Sequence, residues 1–385
     1  MTLDPDAPYL GARRARRGRR AVYAGLGLLA VLVTAALVAA LVSVPYYAIT
    51  PGAGLDVAPL ISVPRAAATD HRGSVLLTDV ELVPLRALTY LWYRIDPNVQ
   101  IVPASALVGP LSAAQYDAQG VVDMATARQA ATYAGLRALG YPVRAEPAGP
   151  VVYQPVPGAP AARSLQIGDV ITELGGAPVR SFASLVAAVE AHRPGATVAV
   201  VSHPIGGGAT RTRRVVLGEV FGSASAPACL AAGASTRLAP LRLNGATRPC
   251  LGFAFEQTYR TAGAPFTVRI SSRGIIGPSA GLAFTLGLIE KLDRADLTGG
   301  RRIAATGTMA IDGSVGDVGG VAQKTIAVRD AGATVFFVPK VEYATARAHA
   351  GSHLKIVAVS SLGDALAALR RLGGRLVPAG NAGRP

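Results

Sequence analysis

The stretch GIIGPSAGLAF, Gly274–Phe284, sets one serine between a proline and two small residues at the mouth of an apolar segment. Two readings of Ser279 stand side by side. A serine at a helix start caps an orphan backbone N–H. The same position suits a nucleophile, because helix-start amides can also hold an oxyanion. Around it, helix-like SAGLAFTLGLIEKL, GGVAQKTIAVRDAG and SLGDALAALRRL alternate with strand-like RRIAATGTM, ATVFFVP and LKIVAV. That alternation predicts an α/β or α+β unit over residues 251–377.

A nucleophilic serine needs a base, and the chain limits the choices. A Ser-His-Asp arrangement would draw on His349 or His353, both in a glycine-interrupted stretch, and the GxSxG elbow is absent around Ser279. HExxH is absent, and HAGSH (349–353) lacks a nearby glutamate, so no metal site is expected. Lysine can serve instead, provided desolvation lowers its pKa far enough to leave it neutral. Only four lysines occur among 38 basic residues. Lys324 sits among Val321, Ala322, Ile326, Ala327 and Val328, whereas Lys291 in EKLDRAD reads as a solvated helix end. Spacing alone leaves Lys324 open to a second reading, a surface lysine on a helix.

Residues 150–219 read as strand, turn, short helix, strand, Gly-Gly turn, amphipathic helix and two strands joined at IGGGAT (205–210). In the helix, Phe182, Leu185, Val186 and Val189 share one face. The order of turns in PGAPAARSLQIGDVITELGGAPV (157–179) resembles a PDZ domain. Such domains bind extended peptides by strand addition. Pro150, placed by this reading near the amides that would hold a terminal carboxylate, has no N–H and counts against that mode of capture.

The N-terminus predicts the compartment. Six arginines in GARRARRGRR (11–20) precede 24 uncharged residues, 21–44. As a helix these span ~36 Å, enough for a bilayer core of ~30 Å and longer than a cleavable signal's apolar region. The arginine bias puts the N-terminus in the cytoplasm and the body outside the membrane. Of the net charge of +15, the first 44 residues hold +4, so +11 is spread over the external part. That excess reads either as an arginine-rich soluble surface or as attraction to an anionic membrane or cell wall. Aromatics at 5% argue against stacking platforms, and no nucleic-acid partner is expected. Cys229 and Cys250 both lie outside, where a pair 21 positions apart can close a disulfide worth ~3 kcal/mol. Upstream, GSVLLTDVEL (73–82) predicts a strand, and LRALTYLWYRID (85–96) and residues 118–140 predict helices, with Trp92 assigned to a core.

GPSAGLAF followed 45 positions later by Lys324 in GGVAQKTIAV resembles the proteolytic domain of the Lon family. With the anchor and PDZ block in front, nearly the whole chain from about residue 21 resembles membrane-anchored PDZ–Lon-like (S16-type) serine proteases of actinobacteria. The expected organisation is a basic tail (1–20), a transmembrane anchor (21–44) and an α+β connecting region packing with the protease unit (45–142). A PDZ domain (143–219), a linker or flap with the cysteine pair (220–250), the Lon-like domain (251–377) and a tail (378–385) follow. The resemblance implies Ser279 as nucleophile, Lys324 as general base and Thr306 in AATGTM orienting the base, with Thr308 where the family commonly has an acid. Amides around Ser279 and Ala280 would hold the oxyanion, and Gly277, Pro278 and Gly281 would let substrate approach the backbone. GxxxxGK[ST] is absent, so neither ATP nor any other cofactor is expected of this chain. The implied substrates are extracytoplasmic polypeptides brought by the PDZ domain, and self-association through the Lon-like domain stays open. Two other functions also stay open: a non-catalytic PDZ scaffold on a Lon-like fold, and a peptidase dependent on a separate ATPase.

Overall fold

The computed structural model describes residues 7–64, 72–156, 159–220 and 248–377, with side chains of 7–21, 219, 220 and 248 left out. Cys229 and the 378–385 tail therefore lie outside the described residues. The chain divides into two compact units, Met1–Thr50 with Glu81–Gly109, and Pro51–Val80 with Pro110–Pro385. The 45–142 region expected to act as one connecting piece is thus shared between them.

In the first unit, helix α1 (Ala7–Leu41) contains Val22–Leu41, an unburied apolar stretch long enough to cross a membrane. It stops before the expected limit at Val44, because Pro45 disfavours helical geometry at the residue before it. Tyr46–Ile49 then pair antiparallel with Gln100–Pro103. Helices α2 (Ala87–Tyr93) and α3 (Ala104–Leu107) complete the unit.

The second unit is built on parallel strands in the order Lys355–Val359, Val335–Pro339, Arg302–Ala305 and Ser74–Arg86, the last through its Ser74–Leu76 end. Alternating side chains serve two layers, as the two-residue strand period requires. Ile303, Ala305, Val335 and Phe337 face a core with helices α4 (Ala113–Ala138), α6 (Gly281–Leu292) and α9 (Leu362–Arg371). Ala304, Phe336 and Val338 face α7 (Val321–Asp330) and α8 (Tyr343–His349). This sheet and its two helix layers therefore form a three-layer α/β/α sandwich.

Helix α6 lies between the sheet and α4, and eleven of its residues are buried. Ser112 opens α4 with a capping box to Gln115, which starts this helix five residues before the expected point. Gly135 lets the two helices close up, since a Cβ there would sit 3.0 Å from Leu288. Lys291 is not a free helix end. Its Nζ donates to the carbonyls of Ala58 and Ile61, both at 2.7 Å.

The second sheet of this unit runs Phe253–Ala262, Arg144–Pro155, Asp169–Leu174, Thr197–Pro204, Arg211–Val216, with Ala177–Pro178 beside the third. Helix α5 (Phe182–Glu190), capped by Ser181, and a 3-10 turn at Pro160–Arg163 cover it. Asp169 accepts the Gln166 amide and a 2.6 Å bond from the Arg213 guanidinium. This sheet borrows its outer strand from beyond the expected boundary at 219. Phe253–Ala262 pairs along its length with Arg144–Pro155, and Leu251, Phe253 and Phe255 enter the same core as Leu185 and Val200. Pro150 consequently lies inside a sheet ladder opposite Gln257, not at a place where amides could receive a carboxylate.

Candidate functional site

The loop carrying Ser279 is fixed at several points. Arg269–Ile270 pair with Ile61–Ser62, and the Ser271 amide donates to Leu60. The chain then turns through Arg273 (φ 47°), Gly274 (φ 88°) and Gly277 (φ 91°), whose amide donates to the Gly120 carbonyl of α4 at 2.8 Å. Gly120 has no room for a side chain there, because a Cβ would meet Ile276 at 2.8 Å. Helix α6 starts at Gly281, with Ala280 at the N-cap and no side-chain cap. Ser279 therefore does not cap the helix, and the capping reading of its hydroxyl is removed.

The backbone of Ser279 is held from the end of a strand. Its carbonyl accepts the Gly307 amide at 2.9 Å and the Thr306 hydroxyl at 3.2 Å, while the Leu282 amide returns to Gly307 at 3.1 Å. Thr306 and Gly307 directly follow Arg302–Ala305, so Ser279 lies at the carboxyl edge of the parallel sheet, where α/β folds place their sites. A Cβ on Gly281 would sit 2.7 Å from the Met309 amide nitrogen, and that absence of side chain permits the contact. Gly281 and Leu282 use their amides in these bonds; those of Ser279 and Ala280 have no acceptor among the described residues. They are the donors a helix start leaves over. Pro278 closes the turn by accepting the Gly281 amide at 3.1 Å.

Lys324 comes from the other layer. Gly320, in left-handed geometry (φ 68°), opens α7, and Lys324 follows in its first turn at 3% exposure. The far end of the crossover returns at Thr334, whose amide donates to Arg302 at the amino edge of the sheet. Helix α7 therefore begins toward the carboxyl edge, as α6 does, on the opposite face of the sheet. Burial pulls the Lys324 ammonium down to about 8, against the opposing pull of Glu342 first and Asp79 second.

Both acids escaped the sequence reading. Glu342 sits at the N-cap position of α8 without a side-chain cap bond and accepts the Val318 amide at 2.8 Å through Oε1, while its Oε2 is buried with no partner among the described residues. Burial raises its carboxyl, and Lys324 lowers it. Asp79 accepts the Ala53 amide at 2.7 Å. A usable signal existed for Glu342 only: an acid just after VFFVP, a strand that topology places beside the one ending at Ala305.

Thr306 is wholly buried, and its recorded hydroxyl bond runs to Ser279, not to the lysine. Thr308 accepts the Gly316 amide at 3.1 Å, so it pins a small hairpin, Thr308–Met309 with Val315–Gly316. His349 bonds the Thr345 carbonyl on α8 at 2.9 Å. No cluster of three metal-ligating side chains occurs among the described residues. Cys250 is disulfide-bonded, its expected partner Cys229 lying outside the described residues.

Helix α4 touches both the Ser279 loop and the second sheet. Gln129 accepts the Tyr259 amide at 2.9 Å, and Gln119 donates to the Tyr153 carbonyl at 3.2 Å. Asp123 bonds the Tyr153 hydroxyl and faces Glu256. Burial pushes Asp123 up to about 6, against the opposing hydrogen bond from Tyr153, and pushes Glu256 up to about 7, with the Asp123 carboxylate adding to the rise.

Comparison with known proteins agrees with this division. Residues 137–202 match the model of a PDZ domain, and residues 274–370 match that of the Lon protease (S16) C-terminal proteolytic domain. The chain thus carries a PDZ domain and a C-terminal Lon-type domain, which supports a serine peptidase of the S16 type. Among solved structures it is similar to the PDZ domain of an SdrC-like protein from Listeria monocytogenes, at 26% identity over 18% of this chain and 72% of that one, with a TM-score of 0.17. The second domain of a further Listeria protein matches at 26% identity over 18% and 68%, also with a TM-score of 0.17. No curated protein matches the chain.

Proposed function

We propose that the protein is a membrane-anchored serine endopeptidase that cuts extracytoplasmic polypeptides with a Ser279–Lys324 dyad and without ATP. One observation carries the reading: a lysine at 3% exposure, with its pKa drawn to about 8, on a helix that starts at the same sheet edge as Ser279. A neutral amine there accepts the Ser279 proton while Oγ attacks the peptide carbonyl. The carbonyl oxygen takes up negative charge and is met by the Ser279 and Ala280 amides, each donor worth ~3 kcal/mol in the transition state. Collapse breaks the C–N bond, Lys324 returns the proton to the leaving amine, and water releases the acyl group by the same route in reverse. Thr306 acts on the nucleophile's own backbone, fixing the carbonyl of Ser279.

The PDZ domain supplies substrate. Phe253–Ala262 is one of the two rim strands of its sheet, and an extended peptide adding to its Phe253–Thr258 part, ahead of the amide held by Gln129, would continue the ladder. Gln257 on this strand accepts the Phe182 amide at the start of α5, 3.0 Å away. Past Ala262 the chain leads directly to the Ser279 loop, so captured polypeptide is delivered near the cutting site. Residues 21–44 anchor the chain with its arginine-rich end in the cytoplasm, following the positive-inside bias.

The test is degradation of unfolded casein by the full chain in detergent micelles, beside Ser279→Ala. The wild type is expected to yield peptides and the variant none. Equal yields from both would remove the protease reading and leave a PDZ scaffold.

A further inference from the structure

The segment expected to bury Trp92 does the opposite. Leu88, Leu91, Trp92 and Ile95 are 44%, 63%, 71% and 76% exposed. They fall at i, i+3, i+4 and i+7, and turn bonds from Arg94 to Tyr90 and from Ile95 to Trp92 carry the helical course of α2 through the last of them. They form one apolar stripe on the outside of a short helix. The other side is occupied, since the Tyr90 ring packs 5.2 Å from that of Tyr46. Arg86 precedes the stripe and Arg94 falls within it, both exposed, and the nearest acid, Asp96, follows Ile95.

The place of α2 in its unit decides what covers this face. The Ala87 amide donates to the Val42 carbonyl at 2.9 Å, and Arg86 Nη1 donates to the Ala40 carbonyl at 3.1 Å. The twenty residues Val22–Leu41 rise ~30 Å as a helix, the thickness of a bilayer's hydrocarbon core. Ala40–Val42 therefore mark the outer boundary of that core, and α2 starts at the boundary. An apolar groove of about 650 Å³, lined by Val31, Thr34, Ala35, Val38 and Val42, runs along α1 to Ala87 and leaves room for an acyl chain.

We infer that α2 is a second membrane attachment: it lies in the outer headgroup layer with Leu88, Leu91, Trp92 and Ile95 dipped toward the acyl chains. The inference rests on the reading of α1 as a membrane span. Tryptophan and tyrosine favour this depth, and Arg86 and Arg94 can bury their stems while the guanidinium N–H groups not bonded to Ala40 and Tyr90 reach lipid phosphates.

Trp92 is the chain's single tryptophan, so its fluorescence reports the site without labelling. The full chain is reconstituted in phosphatidylcholine vesicles whose acyl chains carry bromine at a shallow or a deep carbon. The expected result is blue-shifted emission, at least halved by shallow bromine, less affected by deep bromine and insensitive to aqueous iodide. Emission typical of water, quenched by iodide and untouched by brominated lipid, overturns the inference. So does blue-shifted emission that no lipid quenches, which would mean a second copy or another protein covers the stripe. Carbonate extraction of the same vesicles separates the two readings. A chain released by carbonate overturns the span and the inference together, whereas a retained chain with Trp92 in water overturns the inference alone. Leu88→Ser, Leu91→Ser and Ile95→Ser combined keep the reporter, and are expected to cut bromine quenching at least twofold with carbonate resistance unchanged. Unchanged quenching in that variant also counts against the stripe.

Discussion

Replacing Glu342 by glutamine tests how the base is tuned. The lysine is held near pKa 8 by two opposing effects, burial lowering it and the Glu342 carboxylate raising it. With a pKa of 8, about one lysine in eleven is neutral at pH 7, and kcat/KM should climb roughly tenfold between pH 7 and pH 9. Glutamine keeps an oxygen to accept the Val318 amide, so the loop ahead of α7 stays in place. It removes the charge, and a nearby opposite charge is worth about one pKa unit or more. A one-unit fall brings the neutral fraction at pH 7 to about one half, a gain of roughly fivefold, with no gain at pH 10 where both proteins are saturated. The assay is the initial rate of a quenched fluorescent peptide at low substrate, from pH 6 to pH 10. A limb that stays near 8 in Glu342→Gln, or moves upward, refutes the electrostatic account of Lys324.

Stability should respond to the Asp123–Glu256 pair in the opposite direction from a salt bridge. Both carboxyls are raised in the folded protein, to about 6 and 7, so it binds more protons than the unfolded chain and stability falls as pH rises from about 4 to 7. The loss is bounded at roughly 3 kcal/mol per group, and Asp123→Asn should flatten the thermal-unfolding profile over that window; an unchanged slope would show that the pair is not the cause. In the PDZ half, Arg213→Met strands Asp169, whose side chain is only 6% exposed, and should cost about 3 kcal/mol in a denaturant titration. A cost below ~1 kcal/mol would mean water replaces the guanidinium.

The parallel strands and their helices were legible because each is a short apolar run with its own stop signal, as VFFVP and the glycine after α7 show. Sequence pattern offers Ser279 and Lys324 as candidates but says nothing of a pairing, which depends on which face of the sheet each helix covers. Ser279 as a cap failed because the loop turns once more, through Ala280, before α6 begins. Phe253–Ala262 could not be assigned to the PDZ sheet from pattern: its partner strand lies about a hundred residues earlier, and alternation says nothing about partners. Trp92 misled for a related reason. An apolar stripe at helical spacing marks a face to be covered, without saying whether protein or lipid covers it.

The central claim is that Lys324 makes Ser279 a nucleophile. Intact-protein and peptide mass spectrometry after exposure of the full chain to a fluorophosphonate measures this directly, because the reagent leaves a covalent phosphonyl group on an activated serine oxygen. The account expects one adduct, on the peptide containing Ser279, formed faster as pH rises through 8 and lost in a Lys324→Met variant that retains the wild-type unfolding temperature. Labelling of Ser279 at an undiminished rate in Lys324→Met, or peptide hydrolysis with Ser279 unlabelled, would contradict it.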